Sequence, residues 1–299
     1  MVKYFPIKQL RLDDRFRFHL GELPKNLIRS VSREGVLLPL IAVGEESPVL
    51  VDGYRRCALL SDSDVVAVRL LQDERTALLA AVELNMLGSA YSEMEKARLI
   101  AVVHENAWMT DREILDILLP RLGFKGGQSV LDACILVAEL LQPSLFSVLA
   151  ARKAPLKFAL RLTGEAPDEQ QVLANFFSCQ RFSLSQMIQA VDLLVPVRKL
   201  GKRTFSAIID ELPREEGNAL ALLRQLRFPK ATEIRIRLNS LLAPYRGKLS
   251  FPEDMEGDAF QFSCSIKNAK QALDCGRLLQ EISEDAGLFQ FLKGHVCDD

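Results

Sequence analysis

What most restricts the fold of this chain is a change of hydrophobic period near residue 89 and its reversal near residue 246. Before residue 89, short apolar runs bounded by turn residues alternate with one amphipathic stretch. Leu38 to Val43, Val49 to Val51 and the β-branched Val65 to Leu71 read as strands. Between the first of these and the N-terminus, Pro24 to Glu34 reads as a helix with Leu27, Ile28 and Val31 on one face and Gly35 as its stop. A second helix is expected just after Gly53. Residues 1–88 are therefore predicted to form an α/β domain.

From residue 89 the pattern is helix after helix. Ser92 with Glu95, Thr110 with Glu113 and Ser183 with Gln186 have the spacing of a capping box, in which each side chain satisfies a backbone N–H of the first turn. Asp168 with Gln171 is a looser version. The helix from Asp111 is expected to end or kink at Pro120, where the N–H is missing. Gly123 to Gly127 then turns the chain, and Ser129 is placed to start the next helix. Helix, glycine-containing turn, helix is the outline of a helix-turn-helix, so residues 89–195 are predicted all-α. Residues 196–245 read as a basic linker, Pro196 to Arg203, followed by helices over Glu215 to Leu226 and Lys230 to Leu242. Residues 246–299 return to period two: Phe260, Phe262, Cys264 and Ile266 alternate with polar residues. Lys248 to Phe251 is the expected hairpin partner and Asn268 to Ile282 a covering helix. This small α+β region is a candidate for homodimer contacts. The fold class expected is thus α+β and multidomain.

Charge narrows the functions. The net charge of −1 is against indiscriminate coating of nucleic acid. Residues 151–245, however, hold 15 Lys and Arg against 9 Asp and Glu, and the cations at Arg198, Lys199, Lys202 and Arg203 form the expected phosphate footprint. No apolar run approaches the roughly 18 residues that a membrane helix needs, and the first residues lack a signal region, so a cytoplasmic protein without a membrane partner is expected. The six cysteines include no Cys-x-x-Cys pair and read as reduced thiols. His19, His104 and His295 lack ligand spacing, and Asp254, Glu256 and Asp258 read as a polar hairpin turn, so no metal site and no catalytic set is expected from them.

The residues that point to chemistry are Val51-Asp52-Gly53-Tyr54-Arg55-Arg56. A strand ends, glycine permits a tight bend, and a helix starts with two guanidinium groups. Helix N-termini favour anions, and Arg matches phosphate oxygens with a planar fork. Upstream, Ser30 to Leu40 carries a helix ending at Gly35, an apolar pair and a proline leading into a strand; Ile7 to Arg17 forms an opening segment with an Arg near its end.

In order and spacing, these motifs resemble the ParB-like family, with a ParB/sulfiredoxin-type N-terminal domain followed by a helix-turn-helix. The resemblance runs to about residue 195. It implies that Gly53, Tyr54, Arg55 and Arg56 hold the phosphates of CTP or a related nucleotide, accompanied by Mg2+, and that Gly35 to Pro39, including Leu38 and Pro39, line the pocket. It also implies DNA as a partner, dimerisation into a clamp and a role in chromosome or plasmid partition. Asn85 matches the asparagine of the family's second phosphate box, Glu-Asn-x-Gln-Arg. Leu84, Leu87 and Gly88 replace its Glu, Gln and Arg, Leu38 stands for the Gln before proline, and Tyr54 stands for the Glu of Gly-Glu-Arg-Arg. Binding with weak or absent CTPase activity is the expectation, because phosphoryl transfer depends on positioning and charge neutralisation. Cys57 follows the arginines, whereas sulfiredoxins place their reactive cysteine ahead of them, which disfavours a redox enzyme.

For base reading, the expected helix offers Lys125, Gln128 and Ser129, with Asp132 close behind. Two other readings stand beside the first. One is a phosphoryl-transfer or nuclease-like enzyme on the same domain, using Asp52 or Glu83; the other is an interaction scaffold with vestigial sites.

Overall fold

The computed structural model describes residues 1–19, 23–88, 91–212, 218–252 and 259–295. The polar turn expected at Asp254 to Asp258, the start of the helix expected from Glu215, and Cys297 lie outside the described residues. The chain divides into two compact units, Met1–Leu220 and Ala221–Asp299.

The first unit opens with a mixed four-stranded sheet in the order β1-β4-β2-β3, built from β1 (Val2–Pro6), β2 (Leu40–Val43), β3 (Val49–Asp52) and β4 (Val65–Leu71). β1 runs antiparallel to β4, with Val2 opposite Arg69; β2 runs parallel to β4, with Leu40 opposite Val68. β2 and β3 form an antiparallel pair whose register slips between Ile41 and Ala42. β2 is apolar without alternation because it lies inside the sheet, and Leu40, Ile41 and Ala42 are fully buried. β4 alternates, turning Val66, Val68 and Leu70 into the same core as Leu40, Ala42 and Leu50. Helix α1 (Lys25–Glu34) ends at Gly35, whose φ of 71° is one that side chains avoid. Helix α2 (Tyr54–Cys57) is a single turn, and α3 (Glu74–Gly88) packs Ala77, Leu78, Ala81 and Val82 inward. The expected strands are present; β1, which precedes the opening segment Ile7 to Arg17 and was not expected, is an addition.

The rest of this unit is helical: α4 (Glu93–Glu105), α5 (Asp111–Glu113), α6 (Leu119–Arg121), α7 (Gln128–Leu140), α8 (Pro143–Ala151), α9 (Leu156–Leu160), α10 (Pro167–Cys179), α11 (Leu184–Gly201) and α12 (Phe205–Ile209). All three capping boxes form as expected. Asp168 is not a cap: Pro167 occupies the first helical position and Ala166 the cap, so Asp168 sits inside the first turn. The helix from Asp111 ends close to Pro120, as expected: a π turn over Ile114–Leu118, closed by the Leu119 N–H on the Ile114 carbonyl, precedes the proline, and the helix stops at Arg121. Burial of Ile114, Leu118 and Leu119 holds that register. The helix expected from Ser129 starts at Gln128 instead, with Gly127 as its cap. The linker expected at Pro196 is also corrected, because α11 runs through it to Gly201. Packing of Leu193, Leu194 and Val197 compensates for the hydrogen bond that Pro196 cannot make.

The second unit contains α14 (Pro229–Leu242), β5 (Leu249–Ser250), β6 (Gln261–Phe262), α15 (Ala269–Glu284) and α16 (Ala286–His295); α13 (Ala219–Arg227) spans the boundary between the units. Its core gathers Tyr245, Leu249, Ile282 and Leu288 beside Leu238, Phe251 and Phe291. The alternating segment from Phe260 pairs only at Gln261 and Phe262, and Ile266 is exposed. The described residues are mixed α and β and mostly helical, with the four-stranded sheet in the first unit and the two-stranded sheet in the second. Among the described residues no helix is long and apolar enough to cross a membrane.

Candidate phosphate site and candidate DNA surface

β3 delivers Asp52 to the bend, and Gly53 turns the chain with φ 111°. A Cβ there would stand 2.4 Å from Leu40 Cδ2, so both backbone angle and space demand glycine. The helix that follows has only four residues, too few for the dipole expected of it to develop.

Three of the expected phosphate residues are held internally. Tyr54 directs its hydroxyl away from the bend, donating to the Asp13 carbonyl at 2.5 Å and the Leu50 carbonyl at 2.9 Å, while the Asp13 N–H donates to it at 3.0 Å. Burial pushes this phenol up to about 12. Arg56 donates to Asp52 Oδ2 at 2.7 Å and to the Leu38 carbonyl at 2.7 Å, with the Pro39 carbonyl at 3.4 Å. Leu38 and Pro39 thus reach the bend through backbone oxygens, and the Leu38 side chain is exposed. Gly35 has open space around it. Asn85 donates to Asp52 Oδ1 and to the Ala81 carbonyl, both at 2.9 Å. Asp52 is consequently held on both oxygens, by the Arg56 charge on one and by the Asn85 amide on the other. Of Leu87 and Gly88 only the backbone is described.

Arg55 is different. Its side chain is 22% exposed, its terminal nitrogen is 3.9 Å from Glu95 Oε1, and its Nε is buried with no hydrogen-bond partner among the described residues. Such a donor is rare because leaving it unmade is unfavourable by about 1–3 kcal/mol. His19 closes the cluster. Its Nδ1 lies 3.4 Å from Glu95 Oε1, its Nε2 lies 3.2 Å from Asn85 Oδ1, and its ring stacks on Tyr91 at 4.7 Å. Sequence reasoning missed His19 and Glu95: the first was a lone histidine, and the second was read only as a cap. Glu95 does both, since its Oε2 accepts from the Ser92 N–H at 2.8 Å while its Oε1 faces Arg55 and His19. Cys57, beside the arginines, is buried, and desolvation pushes its thiol up to about 11, which makes it a poor nucleophile. Glu83, the other carboxylate considered for phosphoryl transfer, pairs with Arg121 at 2.7 Å.

On the candidate DNA surface, Lys125, Gln128 and Ser129 are exposed at the start of α7, and Gln128 donates to Asp132 at 2.8 Å. The remaining exposed positions of α7 are Asp132, Leu136, Glu139 and Leu140, so that face carries no cation. In the basic cluster, Arg198 pairs with Glu165 and stacks on Phe205 at 4.5 Å, and Arg203 pairs with Glu211 at 2.5 Å. Lys199 and Lys202 remain at the surface of a shallow cavity of about 330 Å³ that also includes Glu169 and Thr204.

No family model and no curated protein matches this chain. Among solved structures it is similar to the C-terminally truncated chromosome-partitioning protein ParB from Caulobacter crescentus complexed to the centromeric parS site, at 16% identity and a TM-score of 0.32, over 62% of this chain and 96% of that one. It is also similar to a Pnob8-like ParB-N domain, at 18% identity and a TM-score of 0.31, over 58% of this chain and 88% of that one.

Proposed function

We propose that this chain is a ParB-like, DNA-associated partition protein that responds to a nucleotide, with Arg55 as the side chain that meets phosphate. The observation that carries the reading is the buried Nε of Arg55, which lacks a partner at the bend where the sequence pattern expects an anion. A phosphate oxygen would supply the missing acceptor and a charge-assisted bond. Gly53 shapes the bend; Arg56, Tyr54 and Asn85 serve as its frame rather than as phosphate ligands, and Leu38 and Pro39 are tied in through Arg56. CTP or a related nucleotide remains the ligand expected. Asp52 is held by Arg56 and Asn85, and Glu95 is turned towards Arg55 and His19, so both described carboxylates at the bend are engaged by side chains rather than set to place Mg2+, which argues for binding with little or no hydrolysis. DNA contact is assigned to Lys199 and Lys202 ahead of α7, as phosphate neutralisation rather than base reading. Cytoplasmic location and a homodimer through residues 246–299 belong to the same proposal.

Calorimetry with CTP, ATP and GTP tests the nucleotide site. Wild type should bind at least one of them, and Arg55→Ala should weaken that binding about tenfold or more. Equal affinity in the variant would refute the assignment. A second reading, an interaction scaffold, is favoured by the exposed face of α7 with Asp132, Leu136 and Glu139. Its signature would be no DNA binding even at low salt, where counterion release makes phosphate contacts strongest.

A further inference from the structure

We infer that Glu95 is an internal competitor for the phosphate site: its carboxylate faces Arg55 in place of an anion, and ligand capture displaces it. This rests on the phosphate reading of Arg55 and adds its regulation. Three observations carry it. Glu95 Oε1 is the anion nearest the Arg55 terminus, at 3.9 Å, a distance at which the charges attract without forming a hydrogen bond. The Arg55 Nε is unsatisfied in that arrangement, so the carboxylate is an incomplete partner. A phosphate, with more acceptor oxygens, can satisfy both nitrogens.

Glu95 also sits where displacement would be felt elsewhere. It belongs to the first turn of α4, whereas Arg55 and Asn85 belong to α2 and α3 of the sheet-bearing part. Among the groups facing it are Arg55 from α2, His19 from the N-terminal segment and Ser92 from its own cap. Asn85 fixes the geometry of His19: its Nδ2 donates to Asp52 and Ala81, so its Oδ1 is the atom presented, and the imidazole Nε2 must be the donor. His19 therefore lies between Asn85 and Glu95, with Nε2 on the Asn85 amide oxygen and Nδ1 3.4 Å from the carboxylate. Moving Glu95 away from Arg55 loosens this contact and the Ser92 cap together, which couples the bend to the start of the helical region.

Glu95→Gln removes the charge but keeps a capping box, because Gln serves at that position. Titrations of the full chain with inorganic pyrophosphate and with CTP would compare wild type, Glu95→Gln, Arg55→Ala and the double variant. Glu95→Gln should bind about tenfold more tightly than wild type, and Arg55→Ala should abolish the gain. Binding by Glu95→Gln but not by wild type would also support the inference. Equal or weaker binding by Glu95→Gln, with wild-type binding still lost in Arg55→Ala, overturns the competitor and leaves the phosphate site standing. No binding by any form overturns both. Hydrogen exchange of wild type is the check should the variant fail to fold. The Ser92 amide, which donates to Glu95 at 2.8 Å, should exchange faster at saturating CTP, and unchanged protection would refute displacement.

Discussion

Gly53→Ala separates two demands that the bend makes on its central residue. The first is backbone strain: φ is 111°, and a side chain in the left-handed region is disfavoured by about 1–2 kcal/mol. The second is space, because the new Cβ would lie 2.4 Å from Leu40 Cδ2 and 3.3 Å from Leu40 Cγ. Leu40 is fully buried in β2 and cannot swing into solvent, so relieving the overlap means repacking the sheet core at about 1–3 kcal/mol. The total expected is about 2–5 kcal/mol. Gly35→Ala is the control. Its φ is 71° and no atom lies within 4 Å of the added Cβ, so strain alone remains, at about 1–2 kcal/mol. Native-state hydrogen exchange of the β2 and β3 amides reads the local loss without assuming that the two units unfold together. Equal losses in the two variants would show that Leu40 yields freely, and the packing argument would fail.

Other substitutions test the frame around the bend. Arg56→Ala should destabilise β3 by about 2 kcal/mol, because Asp52, 12% exposed, loses its charged partner; exchange of the β3 amides measures this, and unchanged protection would make the pair dispensable. Phe16→Ala should remove about 3–4 kcal/mol, since this residue is 2% exposed and stacks on Trp108 at 4.9 Å. Trp108 is the only tryptophan, so a red-shifted emission reports the loss directly. Asp13 is held below its ordinary value by hydrogen bonds from the Arg15 side chain, so its contribution is present above the unfolded value near 3.8 and disappears as pH falls through the lower folded value. Trp108 emission, reporting on the Arg15 contact 5.5 Å from its ring, should change in that acid range, and Asp13→Asn should remove the change.

Much of the fold was legible because period and capping are local signals. β4 alternates as its sequence does, Gly35 ends α1, and all three capping boxes close as their spacing implies. Pro196 was read as the start of a linker, and tertiary burial of Leu193, Leu194 and Val197 carried the helix through it. The bend was legible in position but not in wiring. Glycine at the bend followed from the sequence, whereas the capture of Arg56 by Asp52 and the Leu38 carbonyl needs the fold. His19 lies 66 residues from Asn85, and no local pattern announces a contact that distant. Exposure of the basic cluster was likewise invisible: Arg198 and Arg203 look like Lys199 and Lys202 in sequence, yet the arginines pair with Glu165 and Glu211 while the lysines have no acidic partner among the described residues.

The most direct test is the nuclear magnetic resonance signal of the Arg55 Nε–H, assigned by its loss in Arg55→Lys, during a CTP titration. The account predicts a downfield shift and slower exchange with solvent as a phosphate oxygen becomes its acceptor. A signal that stays in place while CTP saturates the protein would contradict it.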